Sequence, residues 1–259
     1  MNDLVLLERH GAVAVVTLNN AKTRNALSRD LLAVLAECLE TLNDDAQCRA
    51  IVLTGANGHF CSGGDVSGMS AERPLPVGRA RMVLGHRVVK AMVSGNKPVI
   101  AAVQGYAAGA GFSLAAAADY VVAVPSAKFV SSFAKVGLVP DLGLLWSLPQ
   151  RIGLAQARRL FYSAVVVEAE EALRLGIIDT LITDADDLLE TAVHMAQSFT
   201  AHAPLSVALV RSAMSRGMAT LDEALRYEMD NQAALYLTQD HREAVNAFMN
   251  KRAPDFKGV

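Results

Sequence analysis

The chain has 259 residues, with 24 basic and 26 acidic side chains and a formal net charge of -2. Apolar residues make up 52% of it and charged residues 19%, which is enough for a large core and excludes disorder throughout. Nucleic acids and anionic membrane surfaces are bound by concentrated basic charge, so we expect neither as a partner. The three cysteines form no CxxC pair, and we predict no disulfide, no metal site and a cytoplasmic location.

In chain order, short apolar runs alternate with amphipathic stretches. Strands are predicted at residues 13–18, 50–54, 97–103, 120–124 and 128–130. Ser28 is predicted to cap a helix whose leucines recur on one side, and a second helix is expected over residues 78–94. Strands that alternate with helices indicate an α/β fold with buried, almost continuously apolar strands.

Residues 99–118 carry no charge and include Gly105 and Gly109 at the spacing of a membrane-helix dimer motif. Alanine and glycine dominate this stretch, however, and alanine favours membrane insertion far less than leucine does. We therefore predict a buried strand, a glycine turn over residues 105–111, a buried helix over residues 112–118, and no membrane association.

After Pro140 the predicted elements are helices. They cover residues 143–151, 154–163, 168–175, 186–201, 221–237 and 242–249, with one more helix that begins at Pro204.

Two glycine-rich turns follow predicted strands, at residues 58–65 and 105–111. Where bulky side chains are missing, backbone N–H groups can face a ligand. Two such turns that converge on one oxygen, with a helix starting at the second, can stabilise an oxyanion. The alternative is that both are tight turns whose glycines only permit close packing.

Two nucleophile hypotheses compete with this interpretation. Residues 111–115 are one residue short of a nucleophile elbow, and a serine hydrolase would then use Asp141 with His194 or His202. Cys61 has no positively charged neighbour in sequence, so we predict a packed thiol and not a nucleophile.

Five stretches together resemble the crotonase superfamily, the enoyl-CoA hydratase/isomerase fold, over essentially the whole chain. They are RNAL at 24–27, FCSGGD at 60–65, KPVIAAVQG at 97–105, GLVPD at 137–141 and AFMNKR at 247–252. The resemblance implies an α/β, crotonase-like ββα superhelix over residues 1–200 that binds an acyl-CoA thioester. It also implies a helical region over residues 201–259 that assembles homotrimers or homohexamers, and no cofactor beyond the coenzyme A of the substrate.

By the same resemblance, the backbone N–H groups of Gly64 and Ala110 form an oxyanion hole for the thioester carbonyl. Contacts with coenzyme A or the acyl group are implied for Lys22, Arg24, Ala26, Ser62, Asp65, Val66, Ser113, Phe133, Phe248 and Lys251. The last two often act from a neighbouring subunit, and residues 65–83 are expected to line the acyl end. Relatives often carry a lysine near the coenzyme A phosphates, where this chain has Ser67.

Hydratases of the superfamily use two glutamates, and the matching positions here hold Ser113 and Phe133, neither of which can deprotonate water. Asp141 matches the position of a catalytic aspartate in several members, and the motifs look most like the phenylacetate-type epoxide isomerases. The resemblance therefore implies an isomerase that moves a proton with Asp141. The alternatives are a hydratase, a dehalogenase or thioester hydrolase with Asp141 as nucleophile, and a catalytically silent acyl-CoA-binding homologue.

A structural role for Asp141 is also open, because an aspartate before a helix that begins near Gly143 is a common N-cap. Its apolar neighbours in sequence are Leu138, Val139, Leu142, Leu144, Leu145 and Trp146. If they surround the carboxylate, desolvation should raise its pKa above the usual value of roughly 3.9.

Overall fold

The computed structural model describes residues 3–65 and 75–259. Its strands are β1 (Val5–His10), β2 (Val13–Leu18), β3 (Ala50–Gly55), β4 (Val99–Val103), β5 (Tyr106–Ala108), β6 (Tyr120–Ala123), β7 (Lys128–Val130), β8 (Val166–Glu168) and β9 (Thr180–Leu181). Its α-helices are α1 (Arg29–Asp44), α2 (Leu75–Val93), α3 (Ala110–Ala117), α4 (Leu144–Ser163), α5 (Ala169–Leu175), α6 (Leu188–Thr200), α7 (Pro204–Arg216), α8 (Leu221–Leu235) and α9 (Gln239–Met249). Short 3₁₀ helices cover Ala21–Thr23 and Ser132–Val136.

Two sheets form the framework. The first has six strands in the order β1-β2-β3-β4-β6-β9, where β1 is antiparallel to β2 and the other neighbours are parallel. The second has the order β5-β7-β8, with β5 parallel to β7 and β7 antiparallel to β8. Parallel neighbours need a crossover connection, and from β4 onward these crossovers pass through both the second sheet and a helix.

The chain repeats one pattern along these crossovers. β4 is followed by β5 and α3, and β6 is followed by β7 and α4. After β3 a single parallel bridge between Cys61 and Ala107 takes the place of a full second strand. The result is a superhelix of ββα turns, which is the predicted architecture.

Both faces of the first sheet are covered, because successive side chains of a strand point to opposite faces. Val13 and Val15 of β2 pack on the side that α6 covers. Ala14 and Val16 face the larger core, which includes the apolar sides of α1 and α3. This double coverage explains why the strands are almost continuously apolar.

Most predicted elements are present within two residues of their expected ends. Ser28 caps α1 as predicted, since its hydroxyl accepts from the N–H of Leu31 (3.1 Å). The predicted break between two helices after residue 151 is Gly153, whose φ of 74° interrupts α4. The structure corrects the prediction at β1, β5, β8 and β9, which were not expected as strands.

Helices α7 and α8 differ in how much of their surface is buried. Arg211 of α7 is buried, pairs with Asp119 and donates to the carbonyl of Gly95 (3.2 Å), which fixes α7 near the end of α2. In contrast, no residue of α8 is buried.

No helix within residues 3–65 and 75–259 is both long and apolar enough to cross a membrane, and the uncharged stretch at 99–118 is strand, turn and helix.

Candidate active site

Backbone hydrogen bonds fix the turn that follows β3 on both of its sides. On one side, Cys61 donates its N–H to the carbonyl of Tyr106 (2.9 Å) and accepts from the N–H of Ala108 (3.0 Å). On the other side, the N–H of Leu27 donates to the carbonyl of Gly63 (2.7 Å). Residues 61–64 therefore lie between two other segments in the manner of a strand.

The peptide between Gly63 and Gly64 has a defined direction. Its carbonyl points at Leu27, and the C=O and N–H of a trans peptide point in opposite directions, so the N–H of Gly64 points away from Leu27. Gly63 has a φ of 108°, and a Cβ there would lie 2.8 Å from the carbonyl oxygen of Ala108. Glycine is therefore required at position 63 for this presentation of the N–H of Gly64.

The start of α3 lies beside this turn. The carbonyl of Gly109 accepts from the N–H of Ser113 (3.1 Å) and therefore points along the axis of α3. The N–H of Ala110 belongs to the same peptide, so it points the opposite way, out of the N-terminal end of α3. No side chain caps this end of α3. A Cβ at Gly63 would lie 3.8 Å from the nitrogen of Ala110, so the two glycine turns converge as the sequence predicts.

Gly111 permits this approach. A Cβ at this position would lie 2.8 Å from the Cβ of Cys61 and would overlap the Cys61 carbonyl oxygen. The backbone of α3 and the turn after β3 therefore touch directly, with no room for a side chain between them.

Asp141 reaches the same region from the segment before α4. The N-cap of α4 is Gly143, with a φ of 76°, and no side chain caps this helix, so the alternative that Asp141 is its cap is wrong. Leu142 also has a positive φ, 46°, and its side chain occupies the space that a Cβ at Gly85 of α2 would need. The carboxylate is thus turned away from the start of α4.

One cavity of about 890 Å³ brings these groups together. Gly64, Ala110 and Asp141 all line it, as do Ser62 and Phe133. Within the described part of the chain, Oδ1 of Asp141 is buried and has no hydrogen-bond partner. The cavity therefore combines two backbone turns that can present donors with one carboxylate that can exchange a proton.

Burial raises the pKa of Asp141, and the nearby charges of Arg81 and His86 oppose part of that rise. The direction agrees with the sequence prediction, but its cause is only partly the expected one. Of the six apolar neighbours, Leu142 and Leu144 are buried, whereas the other four are substantially exposed. The desolvation comes from the walls of the cavity and not from a complete apolar ring of sequence neighbours.

The loop that contains Lys22, Arg24 and Ala26 lies against the turn at Ser62. The hydroxyl of Ser62 donates to the carbonyl of Thr23 (2.7 Å), and its N–H donates to the carbonyl of Arg24 (3.0 Å). Lys22 and Arg24 are exposed and Ala26 is buried. These two predicted contact segments are therefore adjacent, with exposed positive charge beside them.

Asp65 follows the turn and donates its N–H to the carbonyl of Leu27 (3.2 Å). Val66, the next predicted contact residue, and Ser67, the position of the missing lysine, lie outside the described residues.

Of the nine described residues predicted to contact coenzyme A or the acyl group, only Ser62 and Phe133 line the cavity. The other seven do not: Lys22, Arg24, Ala26 and Asp65, described above, and Ser113, Phe248 and Lys251. Ser113 is fully buried in α3, where its hydroxyl donates to the carbonyl of Gly109 (3.3 Å). Phe248 and Lys251 lie at the end of α9, and Phe248 is 82% exposed. The burial of Ser113, together with the exposure of His194 and His202, also removes the serine hydrolase alternative.

The thiol of Cys61 is fully buried, and burial raises its pKa to about 12. A thiol that stays protonated at neutral pH is a poor nucleophile, so the prediction of a packed thiol is confirmed.

The cavity has residues that the site prediction did not name. Arg79, Arg81, Met82 and His86 of α2 line it, and the first three fall in the segment expected at the acyl end. The spacing of 79, 82 and 86 is that of one helix face and could have been read from the sequence. Ser132, which also lines the cavity, gave no comparable signal.

Asn25, within the RNAL motif, is completely buried and structural. Its amide donates to the carbonyls of Ala56 (2.9 Å) and His59 (2.8 Å), and its side-chain oxygen accepts from the N–H of Asn20 (2.9 Å). It thereby ties the loop at Lys22 to the loop that leads into the glycine turn.

Solved structures with the same architecture define the fold. An enoyl-CoA hydratase from Bacillus anthracis superposes with a TM-score of 0.93 at 28% identity, covering 99% of this chain and 100% of that one. An enoyl-CoA hydratase from Polaromonas sp. JS666 gives a TM-score of 0.90 at 34% identity, covering 97% and 99%. The chain therefore has the crotonase fold.

The sequence comparisons define the family. The model of the family described as "Enoyl-CoA hydratase/isomerase" matches residues 8–259. The 1,2-epoxyphenylacetyl-CoA isomerase of Escherichia coli K12 is 36% identical, covering 100% of both chains, and the short-chain-enoyl-CoA hydratase of Clostridium acetobutylicum is 34% identical, covering 96% of this chain and 95% of the relative. The chain belongs to the enoyl-CoA hydratase/isomerase family and is an acyl-CoA enzyme of that family.

Replacing Gly111 tests the contact between the two turns. Gly111→Ala should lower kcat/KM on an acyl-CoA substrate by tenfold or more, because a displacement of roughly 1 Å at reacting groups can cost about 100-fold. It should also destabilise the protein by about 1–3 kcal/mol through overpacking, measured by urea unfolding. Gly78→Ala is the matched control for stability alone, because a Cβ at Gly78 meets nothing within 4 Å but Gly78 itself lines the cavity. Full activity in Gly111→Ala would show that this contact does not set the site.

Proposed function

We propose that this chain isomerises an acyl-CoA thioester by moving a proton with Asp141. The thioester oxygen accepts from the N–H groups of Gly64 and Ala110. The Asp141 carboxylate removes a proton from the carbon next to the thioester, or from its vinylogous position, and the electron pair moves onto that oxygen. The enolate then takes the same proton back at another carbon, so a double bond or a strained ring rearranges without net oxidation.

One observation carries this proposal. Among the described residues that line the cavity, Asp141 is the only one with an acidic side chain, and it shares that cavity with Gly64 and Ala110. Its buried Oδ1 has no hydrogen-bond partner in the described chain, so no protein group competes with a substrate proton for it. A general base must reach the proton that it removes, and the shared cavity meets this requirement.

Backbone donors suit the charge that develops in this reaction. Removing a proton next to a thioester places negative charge on its oxygen, and one preorganised donor is worth about 3–4 kcal/mol in the transition state. The N–H of Ala110 also lies at the positive end of α3, which adds to the stabilisation.

Hydration of a 2-enoyl-CoA is the second candidate, because several relatives are named hydratases. Water addition needs a base for the water and an acid for the carbon, and the two positions that match the family glutamates hold Ser113 and Phe133. Ser113 is buried and bonded to its own helix, and Phe133 has no group that transfers protons. Asp141 would have to perform both steps alone, which makes isomerisation the better candidate.

We also propose that coenzyme A lies over the loop at Lys22, Arg24 and Ala26 and the turn at Ser62, Asp65 and Val66. The two exposed cations of that loop can meet phosphate charge, and their loop is hydrogen-bonded to the turn that leads into the cavity.

A homotrimer or homohexamer is proposed from the exposed apolar side of the last helices. Leu221, Leu225 and Met229 of α8 are all exposed, and Phe248 lies at the end of α9. A helix with no buried residue gains little from its own chain, so a second copy of the chain is the proposed cover. In that assembly Phe248 and Lys251 would reach the coenzyme A of a neighbouring subunit.

Asp141→Asn tests the proton transfer. It keeps the shape of the side chain and removes the base, so turnover should fall by at least about 100-fold with acyl-CoA affinity nearly unchanged. The assays compare 3-enoyl-CoA, 2-enoyl-CoA and ring-epoxide substrates, with Asp44→Asn as an exposed control at the end of α1. Retained isomerisation in Asp141→Asn would disprove the role, and water addition by the native chain would favour the hydratase.

The pH dependence of kcat/KM gives an independent test. The deprotonated carboxylate is the active form, so activity should be present above the pKa of Asp141 and lost as the pH falls through it. Because burial raises that pKa, the midpoint of the acid limb should lie clearly above the usual value of about 3.9. Circular dichroism at each pH separates this loss from unfolding, and a midpoint at or below 3.9 would contradict the assignment.

Sedimentation equilibrium tests the assembly. The native chain should have about three or six times the protomer mass of 27.5 kDa. Met229→Asp should shift it towards the monomer, because a buried unpaired charge is costly, whereas Gln47→Asp on an exposed loop should not. A monomeric native chain would contradict this part of the proposal.

A further inference from the structure

One wall of the cavity is positively charged. Arg79, Arg81 and His86 all belong to α2, and all three line the cavity. Among the described lining residues the only acidic side chain is Asp141, so two guanidinium groups and a histidine face one carboxylate.

The two arginines have N–H donors that make no hydrogen bond to the described protein. Arg81 uses one N–H for the carbonyl of Leu27 (3.0 Å), and a guanidinium has five N–H donors. Arg79 is an exposed residue at the cavity and makes no hydrogen bond or ion pair within the described part of the chain. Neither arginine is therefore fully satisfied by the protein around the cavity.

The rest of the wall gives these donors little to bind. Its other side chains are mainly apolar and include Leu75, Met82, Val83, Phe133, Val136 and Leu138. A plain hydrocarbon acyl chain in this space would press against guanidinium groups and displace their water without offering an acceptor. A carboxylate would instead pair with them in the fork geometry that arginine favours.

Arg79, Arg81 and His86 share the cavity with Asp141. The charges of Arg81 and His86 act on the carboxylate of Asp141, which faces the reacting carbons in the proposed function. Lys22 and Arg24, by contrast, lie on the loop beside Ser62 and are already the candidates for the coenzyme A phosphates. The cations of α2 are therefore available to the acyl group.

We propose that the substrate is the mono-CoA thioester of a dicarboxylic acid, whose free carboxylate binds Arg79 and Arg81. This inference rests on the proposed function in one respect, namely that the cavity binds the acyl group of an acyl-CoA. It adds a substrate class, and it makes α2 the element that selects among acyl groups.

Calorimetric binding of two saturated thioesters tests the proposal without any turnover. Adipyl-CoA and hexanoyl-CoA have the same chain length and differ in the terminal carboxylate, and neither has a double bond to move. Adipyl-CoA should bind about two- to fivefold more tightly at low salt, as expected for a partly exposed ion pair, and the ratio should shrink as salt is added.

Charge-removing variants identify the groups responsible. Arg79→Met and Arg81→Met should each lower the adipyl/hexanoyl ratio, and the double variant should bring it close to one. Lys90→Met removes a charge from the same helix outside the cavity and should leave the ratio unchanged. Hexanoyl-CoA affinity, measured in every variant, reports whether the fold and the coenzyme A site are intact, and Arg81→Lys should restore part of the ratio.

Three results would overturn the inference. The first is equal affinity of the native protein for both thioesters. The second is a ratio that survives the double variant. The third is an equal loss of affinity for both thioesters and for free coenzyme A, because the arginines would then serve the phosphates. None of these depends on Asp141, so active Asp141→Asn would end the proton-transfer proposal while leaving the binding ratio in place.

Discussion

The contact between two stretches of backbone determines the rest of this site. The carbonyl of Cys61 accepts from Ala108 and lies where a side chain at Gly111 would have to be. Because main-chain atoms touch directly, the turn after β3 and the start of α3 have a relative position that no side-chain rotamer can change. The peptides of Gly64 and Ala110 take their directions from this contact, and donors fixed before binding need no reorganisation when charge develops.

Asp141 depends on a second contact of the same type. Leu142 adopts a left-handed conformation that costs roughly 1–2 kcal/mol for a residue with a side chain. Its side chain fits against α2 only because residue 85 is a glycine. The strain turns Asp141 away from the helix end that it could have capped, and the packing on α2 supports this strained conformation.

Elements with a clear local residue pattern could be predicted from the sequence. Features that form only by contact with a segment distant in sequence were missed or left open. The apolar runs located β2, β3, β4, β6 and β7, and the leucine spacing located α1. β5 was missed because Gly105 and Gly109 make residues 106–108 look like part of a turn, and only pairing with β7 makes them a strand. The choice between cap and cavity for Asp141 was open for the same reason, since it is decided by Leu142 and Gly143 against α2.

The near-neutral total charge hides an uneven distribution at the site. A net charge of -2 describes the whole chain, whereas the described wall of the cavity carries more positive than negative groups. In the proposed function the backbone donors do not discriminate among acyl groups, because every thioester would offer the same oxygen to Gly64 and Ala110. Discrimination among substrates would then come from side chains, and α2 supplies the basic side chains that share this cavity with Asp141. Under both proposals, the glycines and alanines of the two turns supply the chemistry that all substrates share, and the arginines of α2 distinguish one acyl group from another.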